Sequence, residues 1–356
     1  MNSSPELNKN IILQYDTTFS PSNLEIISKI FSDGSISTGK YQKLLKEKLQ
    51  KLTGCKYIFL TNSGTTGLHL ALMSLGISTR DEVITPSYLC EQVLNSISFT
   101  GGKPIFVDIN SDNYSINLEE IKKSINNKTK AIIVPYLYGD TFSISELKEL
   151  NIPIIEDVCH CTGCSVNKKQ VGSLGEIGIT SFGEKKFLDG GFGGAVFTNN
   201  ADLSKKIEVL LSHSNPRKYT KNYDYHIPNI IAAIIYEKSF SLKNEIKNRK
   251  KIAKYYINEL KNPKISLRYA NVLDSFFYRF MIDIPSTKTS FIKKMRSKGI
   301  VCGVGINHPL HELVGDYRKK LPNTEFAVNY SVALPIRPNL TENELNRIVI
   351  AVNESV

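Results

Sequence analysis

Asn62-Ser63-Gly64-Thr65-Thr66-Gly67 follows a short β-rich run, KYIFLTN, and opens straight into an apolar-periodic stretch, TTGLHLALMSLG. Glycines and small hydroxyls at a helix N-terminus offer an anion free backbone N–H groups and the positive end of the helix dipole. The same residues also make an ordinary helix cap. A second apolar run, IPIIED, ends in Glu156 and Asp157, with His160 close behind. A carboxylate at a buried strand end is costly unless it faces a cation or several donors. Asp157 therefore either caps a helix or pairs with a cationic ligand. A third run, EIGITSF, delivers Ser181, then Gly183-Glu184-Lys185-Lys186 and the glycine-rich Asp189-Gly190-Gly191-Phe192-Gly193-Gly194. A lysine just past a buried strand is placed to be a desolvated amine that can form a Schiff base; the plainer reading is a surface lysine pair. Taken together, a phosphate cradle, a carboxylate for a ring cation, a hydroxyl and an amine for an aldehyde specify pyridoxal 5′-phosphate.

Cys159-His160-Cys161, with Cys164 beyond, has the residue types of a metal site. Four-coordinate zinc would need further ligands at matching spacing. The chain offers no second cluster, so no metal is expected and the thiols are read as lining a core or a pocket. Six cysteines in 356 residues do not read as a disulfide framework, and a reducing cytoplasm suits them.

A 41% apolar fraction with 22% charged residues supports a real core and excludes disorder, collagen-like repeats and a disulfide-stapled miniprotein. No stretch approaches the roughly 20 apolar residues of a membrane span, and the N-terminus lacks a signal-peptide pattern. Lys+Arg 45 against Asp+Glu 34 leaves a net charge of +11, spread along the chain. The surplus is either a solvated lysine-rich surface or an attraction for anionic small molecules. Nucleic-acid binding is not expected, since no zinc-finger, basic-zipper or RNA-recognition signature is present.

The elements that must position these residues alternate along the first two thirds of the chain. Strand candidates are residues 56–62, 82–87, 103–109, 130–136, 152–157, 176–182 and 194–200, with helical spacing between several of them. This alternation predicts an α/β fold with a mostly parallel seven-stranded sheet between helices. After residue 200 come a helix, one long or two consecutive helices from Ile230, and the mixed set FFYRFMIDI, SFIKKMRSKGI, SVALPI and TENELNRIVIAV. Thr341 and Glu344 have the spacing of a capping box. The expected division is a large domain over 1–240 and a small C-terminal α+β domain over 241–356.

At this level the chain resembles the DegT/DnrJ/StrS family of pyridoxal-phosphate-dependent sugar aminotransferases, with the aspartate-aminotransferase-like fold. Ser37-Thr38-Gly39 resembles the family's N-terminal entry, and TNSGTTGLHLAL resembles its SSGTAALHLAL segment. DEVITPSYLCEQVLNSISFTGGKPIFVDI, IIEDVCHCTGC, VGSLGEIGITSF and LPIRPNLTENELNRIVIAV resemble further family motifs in the same order. The resemblance implies that Lys186, rather than Lys185, carries the cofactor, because the family lysine stands five residues after the serine that falls on Ser181. It implies that Asp157 holds the pyridinium nitrogen protonated and that His160 stands beside the phenolic oxygen. Gly64, Thr65, Thr66 and Ser181 would bind the phosphate.

The chain departs from the family pattern at several positions. The family aromatic that stacks on the cofactor falls on Cys90, with Tyr88 nearby as a substitute. The family asparagine that reaches the neighbouring subunit's phosphate falls on Asp224, whose carboxylate would repel it, so that either Asp224 points away or another donor, Lys221 or Tyr225, takes over; the family arginine becomes His226. The resemblance further implies a homodimer with shared active sites, glutamate as amino donor and a keto-sugar acceptor, nucleotide-linked by family habit. Arg217, Lys218 and Lys221 are either a basic loop that would meet such a substrate's diphosphate or a solvated charge run. Alternatives are a sugar dehydratase, whose branch carries histidine in place of the lysine, an aminotransferase of a non-nucleotide ketone, and a non-enzymatic basic binding protein. A nicotinamide-dependent Rossmann enzyme would need G-x-G-x-x-G after the first strand, and that strand ends in Asn-Ser-Gly-Thr.

Overall fold

Short β-branched runs lie side by side at the centre of the molecule. A computed structural model describes residues 11–15, 21–212, 222–269, 272, 275–315, 317 and 319–356. The first nine strands are β1 (Tyr57–Thr61), β2 (Glu82–Pro86), β3 (Lys103–Val107), β4 (Thr129–Pro135), β5 (Ile154–Asp157), β6 (Ser165–Val166), β7 (Lys169–Gln170), β8 (Ile177–Ser181) and β9 (Gly194–Thr198). Seven of them form one sheet in the order β1-β9-β8-β5-β4-β2-β3. Only β9 runs against its neighbours, β1 and β8; the other pairs are parallel. These are the seven runs expected from the sequence. The central strands read as unbroken apolar runs because helices cover both faces.

Strand alternation sorts the side chains. Ile133 and Ile155 join one hydrophobic cluster, while Ile132, Val134 and Ile154 join the other. The same parity sends Glu156 and Asp157 to opposite faces of β5.

β6 and β7 form a small hairpin that the strand pattern did not reveal. Its turn residues Asn167 and Lys168 have φ of 50° and 65°, the left-handed pair that a two-residue hairpin turn demands.

A second, antiparallel sheet comprises β10 (Phe280–Asp283), β11 (Gly303–Val304) and β12 (Ser331–Leu334), in the order β10-β12-β11. The helix after it, Glu342–Ser355, begins with the expected capping box: the Glu344 N–H donates to Thr341 Oγ1, and the Thr341 N–H donates to Glu344 Oε2. The segment from Asn229 to Glu259 is one continuous helix of 31 residues. Ala232, Ala233, Ile235 and Leu242 pack into one cluster, and Ile252, Ala253 and Tyr256 into the other. The division expected after residue 240 falls inside this helix.

Candidate active site

The carboxyl ends of β4, β5 and β8 and the helix that follows β1 surround a cavity of about 330 Å³. Ligands of open α/β sheets bind at this end of the strands. Gly64, Thr65, Cys90, Asp157, His160, Ser181 and Lys186 all line it. Residues scattered over more than a hundred positions thus converge on one volume.

Ser63 caps the helix Gly64–Ser74: its Oγ accepts the Thr66 N–H at 3.1 Å. Gly64 and Thr65 occupy the first turn and line the cavity, where the helix dipole and terminal N–H groups favour an anion. Ser181, at the end of β8, closes the same corner. A Cβ on Gly64 would sit 2.8 Å from the Ser181 Cβ, so only glycine allows this approach. Thr66 is used differently from expectation. Its hydroxyl donates to Asn62 Oδ1 at 2.8 Å and its N–H is taken by Ser63, so Thr66 builds the cap and does not line the cavity.

Asp157 faces the cavity, is 8% exposed, and accepts the Cys159 N–H at 3.0 Å. Glu156 points the other way and is fully buried. Its Oε1 accepts the N–H groups of Leu174 (2.7 Å) and Gly175 (2.6 Å); its Oε2 accepts the Gly172 N–H (2.9 Å) and the Tyr136 hydroxyl (2.8 Å). Burial pushes its carboxyl up, and these donors pull it back. Glu156 is therefore the anchor of the 172–175 loop.

Lys186 reaches the cavity; Lys185 does not. The Lys185 Nζ lies 4.3 Å from the Tyr15 ring centre, and its backbone has φ 74°. Asp189 secures this turn by accepting the Lys185 N–H at 2.9 Å and the Gly191 N–H at 2.7 Å. Burial draws the Lys186 amine down, but Tyr278, Cys159, Cys90 and Asp157 outweigh it, leaving the amine raised above the ordinary lysine value.

His160 stacks on Tyr278, with ring centres 3.9 Å apart and planes within 12°. Its Nδ1 accepts the Tyr138 N–H at 3.2 Å. Burial, then Lys186 and Arg279, hold its pKa well below the ordinary value. A neutral ring whose Nδ1 accepts must carry its proton on Nε2, so His160 enters the cavity as a donor.

Tyr88 does not line the cavity, contrary to expectation. It is fully buried, stacks on Tyr114 at 5.5 Å, and accepts the Tyr138 hydroxyl at 3.0 Å. Tyr88 and Cys90 share strand parity, but the chain turns after β2, leaving the thiol in the cavity and the ring in the core. The tyrosines that line the cavity are instead Tyr136, Tyr138 and Tyr278, and the Tyr278 ring centre lies 5.1 Å from Lys186 Nζ. Tyr278 and its neighbour Arg279 were not picked out from the sequence. The only signal was a Tyr-Arg pair interrupting an otherwise apolar run.

Asp224 also lies outside this cavity. It is exposed and lines a separate groove with Ser37, Thr38, Gln42 and His226. Arg217, Lys218 and Lys221 lie outside the described residues. Cys161 and Cys164 are buried in the cluster behind the sheet while Cys159 faces the cavity. Among the described residues, no group of three His, Cys, Asp or Glu side chains is arranged to hold a metal. No helix among them is long and apolar enough to cross a membrane.

A strand-end aspartate, a lysine amine and a glycine-tight helix start around one cavity fit pyridoxal 5′-phosphate, and with this sheet they define a pyridoxal-phosphate-dependent aminotransferase. The chain belongs to the DegT/DnrJ/EryC1/StrS aminotransferase family, which residues 20–353 match. It is 30% identical to "Uncharacterized protein MJ1066" of Methanocaldococcus jannaschii, across 93% of this chain and 94% of that one. A DegT DnrJ EryC1 StrS aminotransferase from Brucella abortus superposes with a TM-score of 0.86 at 25% identity, covering 94% of this chain and 95% of the other. DesV of S. venezuelae, solved in complex with a ketimine intermediate, superposes with a TM-score of 0.88 at 25% identity over 94% of each chain.

Proposed function

We propose that this aminotransferase converts the ketone of a nucleotide-linked sugar to an amine, with glutamate as donor, for cell-surface glycan or related biosynthesis in the cytoplasm. The observation that carries the reading is the convergence of Lys186 and Asp157 on one cavity with the glycine-tight cradle at Gly64. The sugar class rests on the ordered motifs shared with the sugar aminotransferases. When bound, the cofactor supplies an aldehyde for amine capture and a sink for the electrons left by the departing α-proton.

The chain's own residues do the rest. Gly64, Thr65 and Ser181 would hold the phosphate. Asp157, which faces the cavity, would be the partner of the ring nitrogen. His160 would offer its Nε2–H as a hydrogen-bond donor to the phenolic oxygen. The Lys186 amine would anchor the cofactor at rest; once displaced, it would take the donor's α-proton and deliver it to the cofactor's aldehyde carbon, two atoms away across the shared nitrogen. Such positioned proton transfer is worth ~10²–10⁴-fold. Tyr278 and Cys90 both line the cavity beside Lys186. The groove at Asp224 belongs to a homodimer interface in this reading, with Asp224 turned toward a partner subunit's site.

Borohydride reduction of the holoenzyme followed by peptide mapping tests the assignment. The label is expected on Lys186. A holoenzyme labelled elsewhere, or not at all, refutes it.

A further inference from the structure

The cavity has a cation that neither the cofactor nor the proton transfer uses. Arg279 precedes β10 and reaches the same volume as Lys186 and His160. Its Nη1 donates to the carbonyls of Val304 and Gly305, the latter at 3.3 Å. Its guanidinium lies 5.8 Å from the Tyr278 ring centre. Among the described residues, no carboxylate comes within ion-pair distance of it. The cavity walls therefore carry two cations, Lys186 and Arg279, against one carboxylate, Asp157. A half-buried guanidinium without a counter-ion is costly, and one held at a single edge presents the remaining fork to a planar anion.

The phosphate has its own cradle at Gly64, Thr65 and Ser181, to which neither the Arg279 segment nor residues 304–305 contribute. A ketone has no charge at its reacting carbon, and a sugar diphosphate lies several bonds away from it. The α-carboxylate of an amino acid is different. It is attached to the very carbon whose proton Lys186 must take, so it must enter this cavity with that carbon.

We infer that Arg279 is a specificity-determining residue that receives the α-carboxylate of the amino donor. Its braced Nη1 edge aims the rest of the guanidinium at that group, with the α-proton left facing Lys186. The inference rests on the aminotransferase reading of the cavity and adds the residue that recognises the donor's α-carboxylate.

Gly305 makes room for this arrangement. A Cβ there would lie 2.2 Å from the Tyr88 hydroxyl and 2.4 Å from that of Tyr138. Only a glycine lets the 304–305 backbone approach the Tyr88–Tyr138 pair while its carbonyls face Arg279.

The test uses the holoenzyme and its Arg279→Gln and Arg279→Lys variants, without acceptor. Two probes are compared: L-glutamate, and 4-aminobutanoate, the same molecule without its α-carboxylate. The change in cofactor absorbance in a single turnover gives an apparent Kd and a limiting rate for each. Arg279→Gln is expected to raise the apparent Kd for L-glutamate roughly 10- to 100-fold, the loss of a charge-assisted pair. Arg279→Lys should recover part of it, since charge returns without the fork. The 4-aminobutanoate response should stay within about threefold, because that probe never makes the contact. Retained Tm and retained cofactor absorbance exclude misfolding. Equal weakening of both probes, or no change in either, overturns the inference and leaves the aminotransferase reading standing. A wild-type holoenzyme that responds to neither probe and carries no label at Lys186 overturns both.

Discussion

Glu156 and Asp157 are adjacent carboxylates on one strand, and their substitutions should fail in opposite ways. Glu156→Ala leaves four buried donors without their acceptor: the Tyr136 hydroxyl and the N–H groups of Gly172, Leu174 and Gly175. Each unsatisfied buried donor costs about 1–3 kcal/mol. With water serving half of them, the loss is on the order of 2–6 kcal/mol, a large part of a domain's net stability. Glu156→Gln is milder. Its amide oxygen still serves one pair of donors, and the Tyr136 hydroxyl can turn to accept, leaving chiefly one N–H opposed by an NH₂ group, about 1–3 kcal/mol. Asp157→Asn keeps the acceptor for the Cys159 N–H and should cost less than about 1 kcal/mol, while greatly weakening transamination through loss of the ring-nitrogen partner. The assay is equilibrium urea unfolding of the cofactor-free proteins, so that ligand linkage does not enter, paired with turnover of the holoenzymes. Stability of Glu156→Ala within about 0.5 kcal/mol of wild type, or an Asp157→Asn loss as large as that of Glu156→Ala, would refute the division of labour.

Lys186→Ala should abolish transamination and borohydride labelling, whereas Lys185→Ala should stay within about threefold of wild type, because a half-buried side chain that does not line the cavity is lost; comparable losses in steady-state rate would sink the distinction. Gly64→Ala forces the helix start and Ser181 apart and should cost roughly 1–3 kcal/mol together with cofactor retention on gel filtration; full retention would show that the corner can relax. The depressed pKa of His160 means that the unfolded chain binds its proton first, so stability should fall as pH drops below the ordinary value of 6.5 toward the folded one. Replacing it by His160→Gln should flatten this part of the pH profile in urea unfolding below pH 6.5, and an unaltered slope would mean that another group governs it.

The seven sheet strands, the cap at Ser63, the capping box at Thr341 and the strand-end positions of Asp157 and Ser181 could all be read along the chain. Each depends on local periodicity or on residues a few positions apart, and backbone geometry alone relates those. The choice of Lys186 over Lys185 came from motif spacing; the structure adds the reason, a left-handed Lys185 pinned by Asp189 that turns one amine out and the next one in. The opposite fates of Glu156 and Asp157 were implicit in strand parity, but which face held the cavity was not. Tyr278 and Arg279 reach Lys186 from some ninety residues away, an approach set by packing between the two sheets. Tyr88, Thr66 and Asp224 sit close to the right places along the chain, yet the backbone turns their side chains into the core, the cap and another groove. Local pattern determined which elements form and what they carry to the strand ends; long-range packing alone decided which side chains face one another there, because that energy is shared by contacts between residues far apart in the chain.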